Sequence, residues 1–427
     1  MRDDNSPARF RWLPPGLRPP VPMAWRQEKI FLLVGAAAFF SGYDQNLYGL
    51  ATPQIQASLH IPENELGLTL TYFRSAALVA LLIAASADLV GRRRLLLTTL
   101  FGQGLFTLLT AFAPDYASFV GAQILTRIFG YAEEMLCFVV VAEEIAAGAR
   151  GWANGTLASL VYFGAGIASL LFAAVTILPY GWRALYVIGA CTIFLVAFLR
   201  QQLPETKRFA TEESRQQAVS KVTETAQLLR GLATEFPGRI AAVLIAAACF
   251  GFATAPALFL ASKYLQSDYH YAAWQTTAVF IPGGLVSLAL AIRTGRVSDH
   301  LGRKPVAMAL VSLAGIAFFL FYAGVPGWAM PVLWIFSFFG VFAGEALIAG
   351  FALEIVPTHY RATVSGLRYV AAIGAGALSL ALEGRLYDHF GAHAPALQTL
   401  LCTIPLTLIA VLFLPEPAGK SLEEMTV

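Results

Sequence analysis

The chain of 427 residues is 57% hydrophobic and only 13% charged, with a formal net charge of +3. Soluble domains carry about 25% charged residues, so this composition excludes a water-soluble globular enzyme. The basic residues fall in short loops between apolar runs, which excludes a nucleic-acid-binding face.

Residues 1–28 are rich in Pro and Arg and hold no apolar run before Lys29, the composition of a cytoplasmic tail and not of a cleavable signal peptide. Six apolar segments follow, at 30–53, 65–87, 95–113, 117–142, 154–177 and 184–199, each near the length that crosses a bilayer. They define an N-terminal bundle over 29–200. The stretch 201–238 is the one long polar segment. Within it, Thr211 to Leu232 mixes Glu, Gln, Arg and Leu at helical spacing, so a surface helix linking two halves is expected. Six more apolar segments, at 239–262, 275–293, 306–324, 329–353, 363–383 and 396–414, make a C-terminal bundle over 239–414, and 415–427 is a second tail. The all-α, twelve-span fold is thus expected as two six-helix bundles. Lys and Arg concentrate in the first tail, after the second span, in 201–238 and after the eighth span. The alternate loops hold only Arg183, Lys263 and Arg385, which places both termini in the cytoplasm.

Charge inside an apolar span is costly and marks a substrate or proton path. Asp44, Arg74, Arg127, Glu134 and Glu345 lie well inside, and Glu133 is a sixth with a different face. Counting along the first, second and fourth spans puts Asp44, Arg74 and Arg127 within about 4 Å of one level near the midplane. Arg127 and Glu134, seven apart, share a helix face. A carboxylate there is raised by desolvation and lowered by arginine, a tension that lets a proton bind in one state and leave in another. Asp44, Glu134 and Glu345 are therefore candidates for proton coupling. Arg74 and Arg127 are candidates for substrate, because a guanidinium suits bidentate carboxylate binding. Either arginine can be the partner of Asp44. The four cysteines lack metal-ligand spacing and read as small hydrophobes in helix packing. His389 and His393, in a short outer loop without a carboxylate framework, read as solvated, and no metal or cofactor is expected.

The chain also repeats itself. Asp88 and Asp299 are 211 residues apart, and the same offset relates Gly91 to Gly302, Arg92 to Arg303, Glu134 to Glu345, Glu143 to Glu354, Arg150 to Arg361 and Glu205 to Glu416. Ungapped matches across two apolar halves indicate a duplicated helical bundle, the usual build of a secondary transporter.

Residues 295–304, GRVSDHLGRK, resemble the loop signature of the major facilitator superfamily, and residues 84–94 resemble its first-half copy, with Ala84 in place of the usual glycine. Glu143 with Arg150, EIVPTHYR at 354–361, PETK at 204–207 and PEPAGKSLEE at 415–424 resemble further marks of the branch holding sugar porters and organic-acid:proton symporters. The resemblance implies a cytoplasmic gate in which Asp88, Arg92, Glu143 and Arg150 act with Asp299, Arg303, Glu354 and Arg361. It also implies contact between the small-residue-rich second and eleventh spans, and a pair of Asp44 with Arg127 that couples protons to transport. The seventh span lacks the glutamine pair of sugar porters, and the tenth has Trp334 only near its outer end. Few neutral donors and acceptors remain for a hexose. Phe250, Phe252, Phe338, Phe339 and Phe342 could instead wall an apolar body.

The expected function is alternating-access transport, foremost proton-coupled symport of a small organic anion (a monocarboxylate or aromatic acid). Sugar or polyol transport and efflux of drugs or metabolites are the alternatives. The expected partners are a small-molecule substrate, protons and the lipid bilayer of the plasma membrane, without nucleic acid, with the protein acting as a monomer.

Overall fold

The computed structural model describes residues 18–145, 147–201, 230–232, 234–357 and 360–416. Among these, ten helices are long and apolar enough to cross a membrane. They are α2 (Glu65–Ala85), α3 (Arg92–Ala111), α5 (Arg150–Phe172), α6 (Trp182–Arg200), α7 (Pro237–Phe259, continued by Ala261–Ser267), α8 (Ala273–Leu301), α9 (Arg303–Phe321), α10 (Met330–Glu354), α11 (Arg361–Phe390) and α12 (His393–Leu401 with Ile404–Leu412). Two further helices, α1 (Trp25–Leu59) and α4 (Tyr116–Glu144), have the length but interrupt their apolar runs with Asp44 and with Arg127, Glu133 and Glu134. They complete the twelve. In these two helices the charge lies in the middle of the span, with Asp44, Arg127 and Glu133 buried.

Several helices outrun their apolar segments. α8 continues eight residues past the expected 293 to Leu301, and α11 continues from the expected 383 to Phe390. Hydropathy marks only the bilayer-length part of a helix, whereas backbone hydrogen bonding continues into water. α1 is kinked at Ala51 (φ −95°, ψ 16°), two residues before Pro53. The surface helix expected over Thr211–Leu232 lies mostly outside the described residues; only Arg230–Leu232 at its end is described, and it is helical.

The chain divides into two compact units, Met1–Leu50 with Ala76–Ser220, and Ala51–Ser75 with Lys221–Val427. The α1–α2 hairpin therefore belongs with the second unit. In unit 1, Phe31, Leu100, Leu136, Leu157 and Ile193 bring α1, α3, α4, α5 and α6 into one core. In unit 2, Val243, Leu310, Phe351, Val364 and Val411 do the same for α7, α9, α10, α11 and α12. Close helix approach in a membrane needs small residues. At Gly164 of α5 a methyl group would stand 1.8 Å from the Phe39 carbonyl oxygen of α1.

The duplicated loops are tight turns. Gly91 and Gly302 adopt φ of 102° and 100°, a region that side chains avoid, and each joins two helices end to end. The segment read as a loop at 295–304 is helical through Leu301, so Gly302 alone makes the turn.

Candidate transport and coupling site

Unit 1 holds a polar cluster in its apolar core. Asp44 is fully buried. Its Oδ1 accepts a hydrogen bond from Thr107 of α3 at 3.1 Å, and its Oδ2 has no hydrogen-bond partner. Arg127, 4% exposed, lies near enough for its charge to reach Asp44 and donates through Nη1 to the Gln45 carbonyl at 2.7 Å. The Gln45 side chain donates to Glu134 Oε2 and to Ser41, both at 3.0 Å. One residue of α1 thus joins the two charges of α4, as their common face requires. Gln45 was not singled out from the sequence, although the polar run GYDQN in an apolar helix was a visible signal.

Glu133 and Glu134 diverge as adjacent helix positions must. Glu133 and Arg200, the last residue of α6, are both fully buried and form an ion pair. Thr99 donates to Glu133 Oε2 at 2.6 Å, and the Cys137 thiol donates to its Oε1 at 3.2 Å. Cys137 is therefore part of a polar knot and not the apolar packing residue its sequence context suggested. Cys191 and Cys402 are exposed on the apolar surface.

Unit 2 holds Arg74 and Glu345. Arg74 Nε donates to the Ile373 carbonyl of α11 at 3.3 Å, and its guanidinium lies 5.8 Å from the Phe259 ring of α7. The contact expected between the second and eleventh spans is present here: Thr71 of α2 donates to the Ala377 carbonyl at 2.9 Å. Glu345 forms an ion pair with Arg368 of α11, a partner the sequence reading missed. Phe280, Trp334, Phe338 and Phe342 stack in series, with centroid separations of 4.2, 5.5 and 6.4 Å. Phe250 is buried in the core instead.

At the hinges, Arg92 pairs with Glu143 at 2.9 Å and Arg303 pairs with Glu354 at 2.8 Å. These are the same pair 211 residues on. Arg303 also holds Asp299 at 2.9 Å. The helix N-terminus is capped by another acid: Glu416 accepts from the backbone N–H groups of Arg303 and Lys304 at 2.7 and 2.9 Å. Arg150 donates to the Ile145 carbonyl at 3.1 Å, and the Arg361 Nε has no hydrogen-bond partner among the described residues. The side chain of Asp88 and the whole of Glu205 lie outside the described residues.

The reading of His393 as solvated is corrected. Its ring opens α12, is 9% exposed, and sits between Glu383 and Glu63. The apolar segment had been ended at 383 and restarted at 396, which left these residues in a supposed loop. Lys263, also read as a loop residue, is buried in the continuation of α7.

Twelve spans with charge held inside them and duplicated hinge pairs define a multi-pass membrane transporter, not an enzyme. The chain belongs to the Major Facilitator Superfamily, whose family model matches residues 34–379. It is 26% identical over 368 residues to the 3-(3-hydroxy-phenyl)propionate transporter of Escherichia coli, covering 82% of this chain and 85% of that one. It is 25% identical over 401 residues to the citrate-proton symporter of Salmonella typhi, covering 87% and 86%. The inward-open xylose transporter of E. coli has the same fold, with a TM-score of 0.73 over 93% of this chain and 99% of that chain at 17% identity.

Proposed function

We propose that the chain is a proton-coupled symporter of a small organic anion, a monocarboxylate with an apolar or aromatic body, working by alternating access in the plasma membrane as a monomer with both termini cytoplasmic. The observation that carries the reading is Asp44: a fully buried carboxylate with one oxygen left unpartnered and an arginine's charge within reach. Asp44 takes the proton, and Glu134, linked to Arg127 through Gln45, shares in the relay. Arg127 in unit 1 and Arg74 in unit 2 are the candidates for the substrate carboxylate, and within unit 2 the Trp334–Phe338–Phe342 stack offers an apolar face. Glu345 answers to Arg368. The hinge pairs of Arg92 with Glu143 and of Arg303 with Glu354, aided by Asp88, Asp299, Arg150 and Arg361, close the cytoplasmic ends. The names of the relatives, an aromatic acid transporter and a citrate-proton symporter, support the substrate class.

The test uses proteoliposomes and labelled aromatic or aliphatic monocarboxylates, with sugars as controls. Asp44→Asn is expected to abolish proton-driven accumulation and to keep exchange of labelled for unlabelled substrate, because exchange needs binding and rocking but no net proton release. Accumulation surviving in Asp44→Asn would sink the coupling role. A sugar bound in preference to carboxylates would sink the substrate class.

A further inference from the structure

The end of unit 2 opposite the Arg303 turn holds a charge cluster that the coupling site does not use. The α1–α2 hairpin, the end of α7, α11 and α12 meet there. His393 Nδ1 lies 2.6 Å from Glu383 Oε1, and its Nε2 lies 3.0 Å from Glu63 Oε2. Glu383 is fully buried, and its Oε2 has no hydrogen-bond partner. That oxygen faces Gly67 of α2, where a methyl group would come within 2.8 Å of it and 2.2 Å of the Leu380 carbonyl oxygen. Lys263 Nζ donates to Glu63 Oε1 at 2.9 Å and also to Gln56.

The geometry fixes the number of protons. A neutral imidazole has one N–H and one lone pair. Here a carboxylate oxygen faces each ring nitrogen, so a neutral ring would set its lone pair against one of them. An imidazolium donates to both. Glu63, Glu383, Lys263 and His393 then sum to zero charge, whereas loss of that proton to water leaves a net negative charge beside a buried carboxylate, which is costly.

We propose that Glu63, Glu383 and His393 form a proton-binding site, distinct from Asp44, whose protonated state clasps the α1–α2 hairpin to α7, α11 and α12. The hairpin is suited to release. The chain leaves unit 1 for unit 2 at Leu50–Ala51, where α1 is kinked, and returns at Ser75–Ala76. Glu63, in the connection between α1 and α2, is its charged grip. Burial opposes the Glu63 charge, but hydrogen bonds from His393 and Lys263 outweigh it and hold the carboxyl at about 2. The other titratable groups facing the cluster are Asp268 and the exposed His270 after α7, Tyr322 just after α9, and Tyr387 and Asp388 of α11. The Tyr387 ring lies 4.4 Å from the imidazole, and Asp388 accepts from Asn64 at 3.4 Å. Within the cluster, only the imidazole needs to gain or lose a proton for the bridge to make or break. The bridge is present at low pH and is lost as pH rises through the imidazolium's titration. That this end faces the external medium rests on the orientation proposed above; the proton site does not.

The test measures the distance between spin labels on the full-length protein in lipid nanodiscs, without substrate, so that the substrate assignment does not enter. Labels go on Ser58→Cys in the hairpin and Thr399→Cys in α12, both exposed, with Cys191, Cys249 and Cys402 replaced. A single short distance is expected at about pH 6. A longer population should grow toward about pH 10, its ratio to the short one changing about tenfold per pH unit on the flank, as for one proton. His393→Gln and Glu63→Gln should each give a mixture that no longer responds to pH. Glu63 is the more exposed partner, so Glu63→Gln keeps the test alive should His393→Gln fail to fold. A distance that stays fixed in the unmutated cluster, or a pH response that survives either substitution, would overturn the proposal.

Discussion

Unit 1 treats buried charge in two ways, and under the proposed function the difference separates a fastener from the coupling group. Glu133 spends both oxygens on Arg200, Thr99 and Cys137, so it ties α3, α4 and α6 together with nothing left over. Asp44 has one oxygen on Thr107 and one with no hydrogen-bond partner. Removing one member of a buried ion pair strands the other's charge, at a cost of about 3–5 kcal/mol. Arg200→Gln is therefore expected to lower the thermal stability of the purified protein by an amount of that order. Adding Glu133→Gln should restore most of it, because the stranded charge is gone. A single variant as stable as the parent would show that the pair does not fasten the helices. The sequence alone shows that Glu133 and Glu134 face differently. It does not show that Glu133 meets Arg200, 67 positions later, because that pairing depends on how α4 and α6 pack.

At the scale of helices, the apolar runs locate all twelve spans, because a bilayer imposes length and hydropathy on each. Helix ends and cross-helix partners are another matter. Glu383, Lys263 and His393 sit where the runs fade, and only the continued α11 and the start of α12 reveal their cluster. The 211-residue repeat marks Arg92, Glu143, Arg303 and Glu354 as equivalent positions but not which acid meets which arginine: Arg92 with Glu143 and Arg303 with Glu354 are the same contact twice. The interior acids of the repeat were misleading as equivalents. Glu134 is held by Gln45 of α1, while Glu345 is held by Arg368 of α11. Closeness of helices is set by small residues that no periodicity singles out. At Gly164 the α5 backbone lies against α1, and a methyl group has no room. Gly164→Ala is expected to cost about 1–3 kcal/mol through forced separation of the two helices. Gly155→Ala on the same helix meets nothing within 4 Å, and it should be neutral or gain up to about 1 kcal/mol from helix propensity. Thermal unfolding of the two variants side by side checks the contrast; equal shifts would mean that the α1–α5 contact does not limit packing.

For the whole molecule, what matters is how much charge one cycle moves. The large apolar side chains left exposed, such as Leu82, Ile177 and Phe413, suit a protein surrounded by lipid, where each moved charge feels the membrane potential. One elementary charge is worth about 2.3 kcal/mol per 100 mV. If Asp44 carries one proton while an arginine carries one monoanion, the net charge moved is zero. If it carries one proton with a neutral sugar, the net charge is one. The proposed function thus predicts that accumulation in proteoliposomes follows an imposed pH gradient and is unchanged by a potassium-diffusion potential at equal pH. About 100 mV, inside negative, would raise accumulation of a neutral substrate about fiftyfold at equilibrium under one-proton coupling, since every 1.4 kcal/mol is tenfold. That margin is large enough for the measurement to decide between the two. Potential-driven accumulation of a monocarboxylate at equal pH would remove the one-to-one anion cycle and require at least a second proton. Among the described residues, the proposed carriers of that proton are Glu134, held to Arg127 through Gln45, and the His393 cluster.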